Sequence, residues 1–289
     1  MNKARRGVLA LCLVIAVAAI TCSGGGKSGG KYVLKYDRRK DSALKILDAH
    51  RSVVTRSVEG EETITDVSYR AKYNIEVYNA GSWGMRLDIV YNNWTMEIDD
   101  PELLRQPSFQ FLPGKTVHVD VSPAGEVSEM TGFDKLPEID IGPGADPIGE
   151  ARFKNEIMDL FPGMPDGPVR RGDSWTVTRQ FTEPIYDGEI LFTARYEYTV
   201  GDETRESGRQ CVQIDGTYTV EANGTAVRDG SEFAIALAGE GKQTVYFSDD
   251  MRMFVRVDEE SHISGDARDG TGRVVGLQQK RERVAVVTF

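Results

Sequence analysis

From Glu62 onward, apolar and polar residues alternate repeatedly, the period of a strand with one face buried and the other wet. Tyr69, Ala71, Tyr73, Ile75 and Val77 fall on one side, with Arg70, Lys72, Asn74 and Glu76 on the other. Val117, Val119 and Val121 alternate with His118 and Asp120, and Ile190, Phe192, Ala194, Tyr196, Tyr198 and Val200 repeat the pattern. Turn sequences punctuate these runs, among them Asn79-Ala80-Gly81, Pro113-Gly114, Asp187-Gly188, Asn223-Gly224 and Asp269-Gly270. Long strands joined by tight turns predict an antiparallel meander, because parallel strands need crossover helices. The expected class is mainly β, its antiparallel sheets forming a curved half-barrel or a sandwich.

One segment departs from this period. Asp146 can cap a helix with Pro147 at its first position, after which Phe153, Ile157, Leu160 and Phe161 recur at helical spacing. Pro162-Gly163 stops it, which predicts a helix near 147–161. This helix divides two β-rich halves that echo one another. Val54-Thr55-Arg56 recurs as Val177-Thr178-Arg179, and Ala71-Lys72-Tyr73 as Ala194-Arg195-Tyr196, both at an offset of 123. Arg86 falls on Arg209 at the same offset, and Gly114-Lys115-Thr116-Val117 resembles Gly241-Lys242-Gln243-Thr244-Val245 after a small insertion. Alternating strands match by chance in some register, while an unchanged offset over about 30 positions points to duplication; both readings stand at this stage.

The N-terminus carries a different signal. Lys3, Arg5 and Arg6 precede an uncharged apolar run from Val8 to Ile20, followed by Cys22 and Ser23-Gly24-Gly25-Gly26-Lys27-Ser28-Gly29-Gly30. A positive start, a run short for a membrane span and small residues at its end read as an export signal. The organisation expected is a signal over 1–21, a glycine- and serine-rich tether over 22–35, a β-rich half over 36–140, helix and linker over 141–167, and a second half over 168–289. Losing the first 21 of 289 residues leaves 268, enough for a substantial core. Lys3, Arg5 and Arg6 leave with them, taking the formal charge from −10 to −13. That acidity argues against nucleic acid and against electrostatic docking on anionic lipid. Beyond Cys12 and Cys22 only Cys211 remains, so no disulfide can form within the body. Cys211 sits in a strand-like run and is expected to be buried and inert.

Cys22 in this setting resembles the acylation site of bacterial lipoproteins. Ala19-Ile20-Thr21 departs from their usual box, lacking its aliphatic first residue and carrying Thr in place of Gly or Ala. An uncleaved anchor and cleavage at another site are the alternatives. Gly172-Asp173-Ser174-Trp175 opening a strand and Ser122-Pro123-Ala124-Gly125-Glu126-Val127 closing one are similar to a family of uncharacterised β-rich bacterial lipoproteins. A looser similarity is to the lipoprotein-carrier half-barrels. The resemblance implies a cell-envelope location, in the outer membrane for a Gram-negative cell, with acyl chains holding the protein to the bilayer.

Candidate chemistry is sparse. His50, His118 and His262 are isolated, without a second ligand at metal spacing, and read as surface residues. Asp99-Asp100-Pro101-Glu102 and Asp266-Ala267-Arg268-Asp269-Gly270 lack the alternation of a calcium loop and read as turns. No nucleophile elbow is present, and the glycines before Lys27-Ser28 and Lys242 lack the strand and helix of a phosphate loop. No cofactor or metal is expected, and catalysis is not. What remains is aromatic: a curved sheet could hold an apolar ligand against Tyr73, Ile75, Tyr196 and Tyr198, or meet an envelope protein partner. The reading is a membrane-anchored protein with a binding or structural role, the alternative being a carrier or chaperone for lipid or lipoprotein.

Overall fold

The computed structural model describes residues 30–100, 112–139, 147–185, 187–228 and 230–288, and the folded body begins at Lys31. The alternation becomes eleven strands: β1 (Ala43–Val58), β2 (Glu61–Gly81), β3 (Gly84–Asp99), β4 (Thr116–Val121), β5 (Val127–Thr131), β6 (Ser174–Ile185), β7 (Gly188–Glu206), β8 (Arg209–Arg228), β9 (Ser231–Ser248), β10 (Met253–Asp269) and β11 (Val274–Thr288). All lie in one antiparallel sheet, ordered β5-β4-β3-β2-β1-β11-β10-β9-β8-β7-β6. Only β1 and β11 are neighbours in space without being consecutive, pairing from Lys45 with Thr288 to Val58 with Val275. The sheet is not closed into a barrel and curves like half of one, so the sandwich alternative is set aside.

The two sheet edges, β5 and β6, are consecutive strands, and the chain between them carries α1 (Glu150–Asp159). This helix is shorter than the sequence pattern predicts. Asp146 lies outside the described residues, and Ile148 exchanges backbone hydrogen bonds with Ile139, which commits it to an extended bridge. Pro147 therefore does not open the helix, and Gly149 stands at the N-cap without a side-chain hydrogen bond. Phe153 and Ile157 are buried as predicted, and so are Leu160 and Phe161 just past the last turn. Each such side chain contributes roughly 1.5–3 kcal/mol of burial.

α1 packs on the inner face of the sheet. Phe153 meets the rings of Tyr91 and Trp94 edge-on, at 5.8 and 6.0 Å between centroids. Tyr91 and Trp94 share that face although three residues apart, because a bulge opposite Lys72 and Tyr73 inserts an extra residue in β3. The offset of 123 sets β1 on β6, β2 on β7 and the start of β3 on β8, yet both halves belong to the same continuous sheet. Residues 31–35, grouped with the tether in the sequence, lie against the body. Tyr32 bridges Val169, Leu34 and Tyr36 are buried, and the Tyr36 hydroxyl donates to Pro162 O at 3.1 Å.

Candidate functional site

Registered pairing across the inner face lines up polar side chains that are far apart in sequence. Gln243 of β9, Glu259 of β10, Arg283 of β11, His50 of β1 and Tyr69 of β2 are successive cross-strand partners. The adjacent row runs Tyr218, Gly241, Ser261, Arg281, Ser52. Asp48 sits two residues before His50 on the same face of β1. Burial of Asp48, His50, Glu259, Gln243 and Arg283 corrects the reading of His50 as an isolated surface residue. The signal was present: Leu44, Ile46, Asp48 and His50 keep period two, and so do Val287, Ala285, Arg283 and Arg281.

Apart from His50 Nε2 and the Tyr69 hydroxyl, these groups find hydrogen-bond partners. Arg283 donates through Nε and Nη2 to the two oxygens of Asp48, at 3.0 and 3.2 Å, and through Nη1 to Asp159 O at the end of α1, at 2.8 Å. Arg281 donates to His50 Nδ1 at 3.1 Å and to Asp159 Oδ2 at 2.9 Å. An arginine cannot accept, so His50 Nδ1 must, and the ring proton belongs on Nε2. Nε2 lies 3.0 Å from Asp48 Oδ2, at ion-pair distance but outside hydrogen-bond geometry. Tyr198 donates to Gln243 Oε1 at 2.8 Å; Gln243 and Tyr218 donate to the two oxygens of Glu259, at 2.9 and 2.8 Å.

Glycines shape this face. A Cβ on Gly216 would stand 2.7 Å from the Tyr198 ring, and one on Gly241 only 2.3 Å from Tyr218 Cζ. Each tyrosine lies over the backbone of its cross-strand glycine. Burial would raise the Asp48 carboxyl, but Arg283 and then His50 outweigh it and hold it well below the usual range. Burial pulls His50 down to about 3, with Asp48 offsetting only part, so the imidazole is neutral at physiological pH. Glu156 of α1 is pushed up to about 7 by burial, against a partial pull from Arg152. Its oxygens accept from Trp94 Nε1 at 3.3 Å and Arg152 Nε at 3.2 Å.

Between α1 and the sheet lies a cavity of about 110 Å³, with Tyr196, Tyr218, Phe181 and Phe192 on its apolar side and Arg281 and Glu183 among its polar groups. Of the four aromatic and aliphatic residues singled out from sequence, Tyr196 lines this cavity. Tyr73, Ile75 and Tyr198 are filled into the core and do not. A larger trough, about 580 Å³, opens on the outer face among Arg195, Glu197, Glu240, Lys242, Glu260 and Lys280. Its mixed charges are those of a solvated strand face, so the inner row is the better candidate.

Cys22 lies outside the described residues. Cys211 is buried, and burial raises its thiol. His118 pairs with Asp88 at 2.7 Å on the surface, and Asp269 accepts from the backbone of Thr271 and Arg273 in a turn. Among the described residues no helix is long and apolar enough to cross a membrane.

No protein-family model matches the chain, and no curated protein matches it in sequence. Among solved structures it resembles lipovitellin, in a study of that protein's lipid–protein interactions, with a TM-score of 0.50 and 10% identity over 88% of this chain. The match takes in 26% of lipovitellin, so this chain spans about a quarter of that molecule. At this identity the likeness is one of fold alone. A putative exported protein with a YmcC-like fold from Bacteroides fragilis matches 89% of this chain and 98% of its own, at 10% identity and a TM-score of 0.24. An outer membrane channel from Pseudomonas putida matches 88% and 98%, at 10% identity and a TM-score of 0.21. Scores that low do not establish a common fold.

Proposed function

We propose that this protein is a lipid-anchored component of the bacterial cell envelope that binds a partner or apolar ligand and catalyses no reaction. The observation that carries the second half is the closure of the inner-face network on itself. A general base needs a pKa near the working pH and a free nitrogen within reach of a substrate proton. His50 has neither: its proton affinity is far below neutral, and Arg281 and Asp48 flank its two nitrogens. Asp48 and Glu259 are likewise consumed by Arg283, Gln243 and Tyr218. The first half rests on the leader and on Cys22. Mass spectrometry of the intact mature protein tests it. An acylated chain beginning at Cys22 is expected; a retained leader, or an unmodified Cys22, overturns it.

A carrier for lipid or lipoprotein is the second reading, favoured by the fold shared with lipovitellin. Ligand pockets commonly span about 300–1,000 Å³, so a cavity of about 110 Å³ holds no acyl chain while α1 is docked. A carrier must therefore release α1 from the inner face. Mass spectrometry of organic extracts of the purified protein tests this: a stoichiometric lipid besides the anchor favours the carrier, and an empty extract favours a module that binds a protein partner.

A further inference from the structure

The strand directions give the body two ends. The β2–β3, β4–β5, β7–β8 and β9–β10 turns lie at one end, with the segment starting at Lys31, and the β1–β2, β6–β7, β8–β9 and β10–β11 turns lie at the other. At the first end two large aromatic side chains face water: Tyr78, 63% exposed, and Trp83, 46% exposed. The backbone shapes both poses. Tyr78 is the extra residue of a bulge between Val77 and Asn79, a device that re-aims a side chain. Trp83 folds over Gly81, where a Cβ would come within 2.9 Å of the indole nitrogen, so only glycine leaves room for that pose.

This hairpin tip adjoins the start of the body. Gly84 packs against Val121 and Ser122, Tyr36 N donates to Pro123 O at 2.9 Å, and exposed Val33 shares a surface hollow with Pro123. Eight residues, 23–30, separate Cys22 from Lys31. The nine chain steps from Cys22 to Lys31 reach at most about 30 Å. A strand such as β2, at 21 residues, runs roughly 70 Å. An anchor at Cys22 therefore keeps the end bearing Trp83 and Tyr78 at the bilayer and leaves the opposite end free to stand away from it.

We infer that the Tyr78–Trp83 hairpin tip is a membrane-docking element that seats its two aromatic rings at the headgroup level of the bilayer holding the anchor. Trp and Tyr suit that depth because each has an apolar ring and a polar edge. The inference rests on the anchored reading of Cys22 and adds an orientation to it.

The test uses acylated full-length protein reconstituted into phosphatidylethanolamine–phosphatidylglycerol vesicles containing chain-brominated lipid, which quenches nearby indoles. Trp94 is buried, and Trp175 is half-buried with its indole N–H donating to Gly163 O at 3.2 Å, so Trp83 dominates any quenching. Wild-type emission should fall by about a third, the share of one tryptophan in three. Trp83→Phe, at an exposed tip where the fold is undisturbed, should show almost no loss. Equal quenching in the two proteins, or none in either, overturns the docking. Protein that is unacylated and stays in the aqueous phase defeats the anchored reading instead, so the two failures are told apart.

Discussion

Over β2 and β3 the inner face is aromatic and its hydroxyls are unmatched, whereas over β7 to β10 tyrosines are wired into a ladder. Tyr69, Tyr73 and Tyr91 bury their hydroxyls without a hydrogen-bond partner among the described residues. Tyr198 and Tyr218 instead donate to Gln243 and Glu259. The same contrast governs the charges. On the aromatic side the buried acid is Glu156, brought in by α1 and undercompensated, so that it titrates at about 7. On β1, where the polar row continues from the ladder, Asp48 comes from the sheet itself and is overcompensated by Arg283 on β11. Strands about 4.8 Å apart can place complementary groups shoulder to shoulder, whereas a helix laid across them meets whatever the strands already present.

The comparison breaks most forcibly at Arg283. Replacing it with Ala strands the buried Asp48 carboxylate and frees the end of α1, and should cost about 3–5 kcal/mol. Urea unfolding measures it. Asp48→Leu combined with Arg283→Met, which removes both charges and keeps the volume, should recover most of the loss. A double variant no more stable than Arg283→Ala would show that packing against α1, not charge pairing, sets the cost.

Glu156 and His50 sharpen it through pH. A carboxyl raised from 4.5 to about 7 on folding loses stability as pH rises through that window, because the native state holds the proton longer. An imidazole lowered from 6.5 to about 3 does the reverse: stability falls as pH drops from 6.5, because the unfolded state binds the proton first. Between pH 4.5 and 6.5 the two slopes oppose, each about 1.4 kcal/mol per pH unit. Wild type should be nearly flat there, Glu156→Gln should rise with pH, and His50→Gln should fall. Stability measured by urea unfolding at half-unit steps decides; parallel profiles for all three proteins would refute the pairing.

Much of the architecture could be read from the period-two pattern, since a sheet with one covered face must repeat its burial every second residue. Tyr69 to Val77 and Ile190 to Val200 show it directly. The inner polar row could not be read that way, because it exists only in the register of strands some 200 residues apart, such as His50 beside Arg283. Periodicity does place Asp48 and His50 on the apolar face of β1, but their partners lie at the far end of the chain. Trp94 was hidden for another reason: the bulge in β3 changes its face, and no local composition announces a bulge. The helix start was misplaced because Pro147 satisfies a local rule that the Ile139–Ile148 bridge overrides.

The gentlest perturbation separates the two regions most cleanly, because it is the same atom removed from each. Tyr218→Phe takes a hydrogen bond from the Glu259 carboxyl and should cost about 1.5–3 kcal/mol, the range for bonds to charged groups. Tyr198→Phe leaves Gln243 Oε1 without its donor and should cost about 1 kcal/mol. Tyr73→Phe and Tyr91→Phe remove hydroxyls that have no partner among the described residues, and should be neutral or slightly stabilising, within about 0.5 kcal/mol. The rings stay in place in all four, so packing is common to them and cancels. Equal losses on both sides would mean that the hydroxyls of Tyr73 and Tyr91 find partners in solution, and the aromatic side would then be as wet as the ladder.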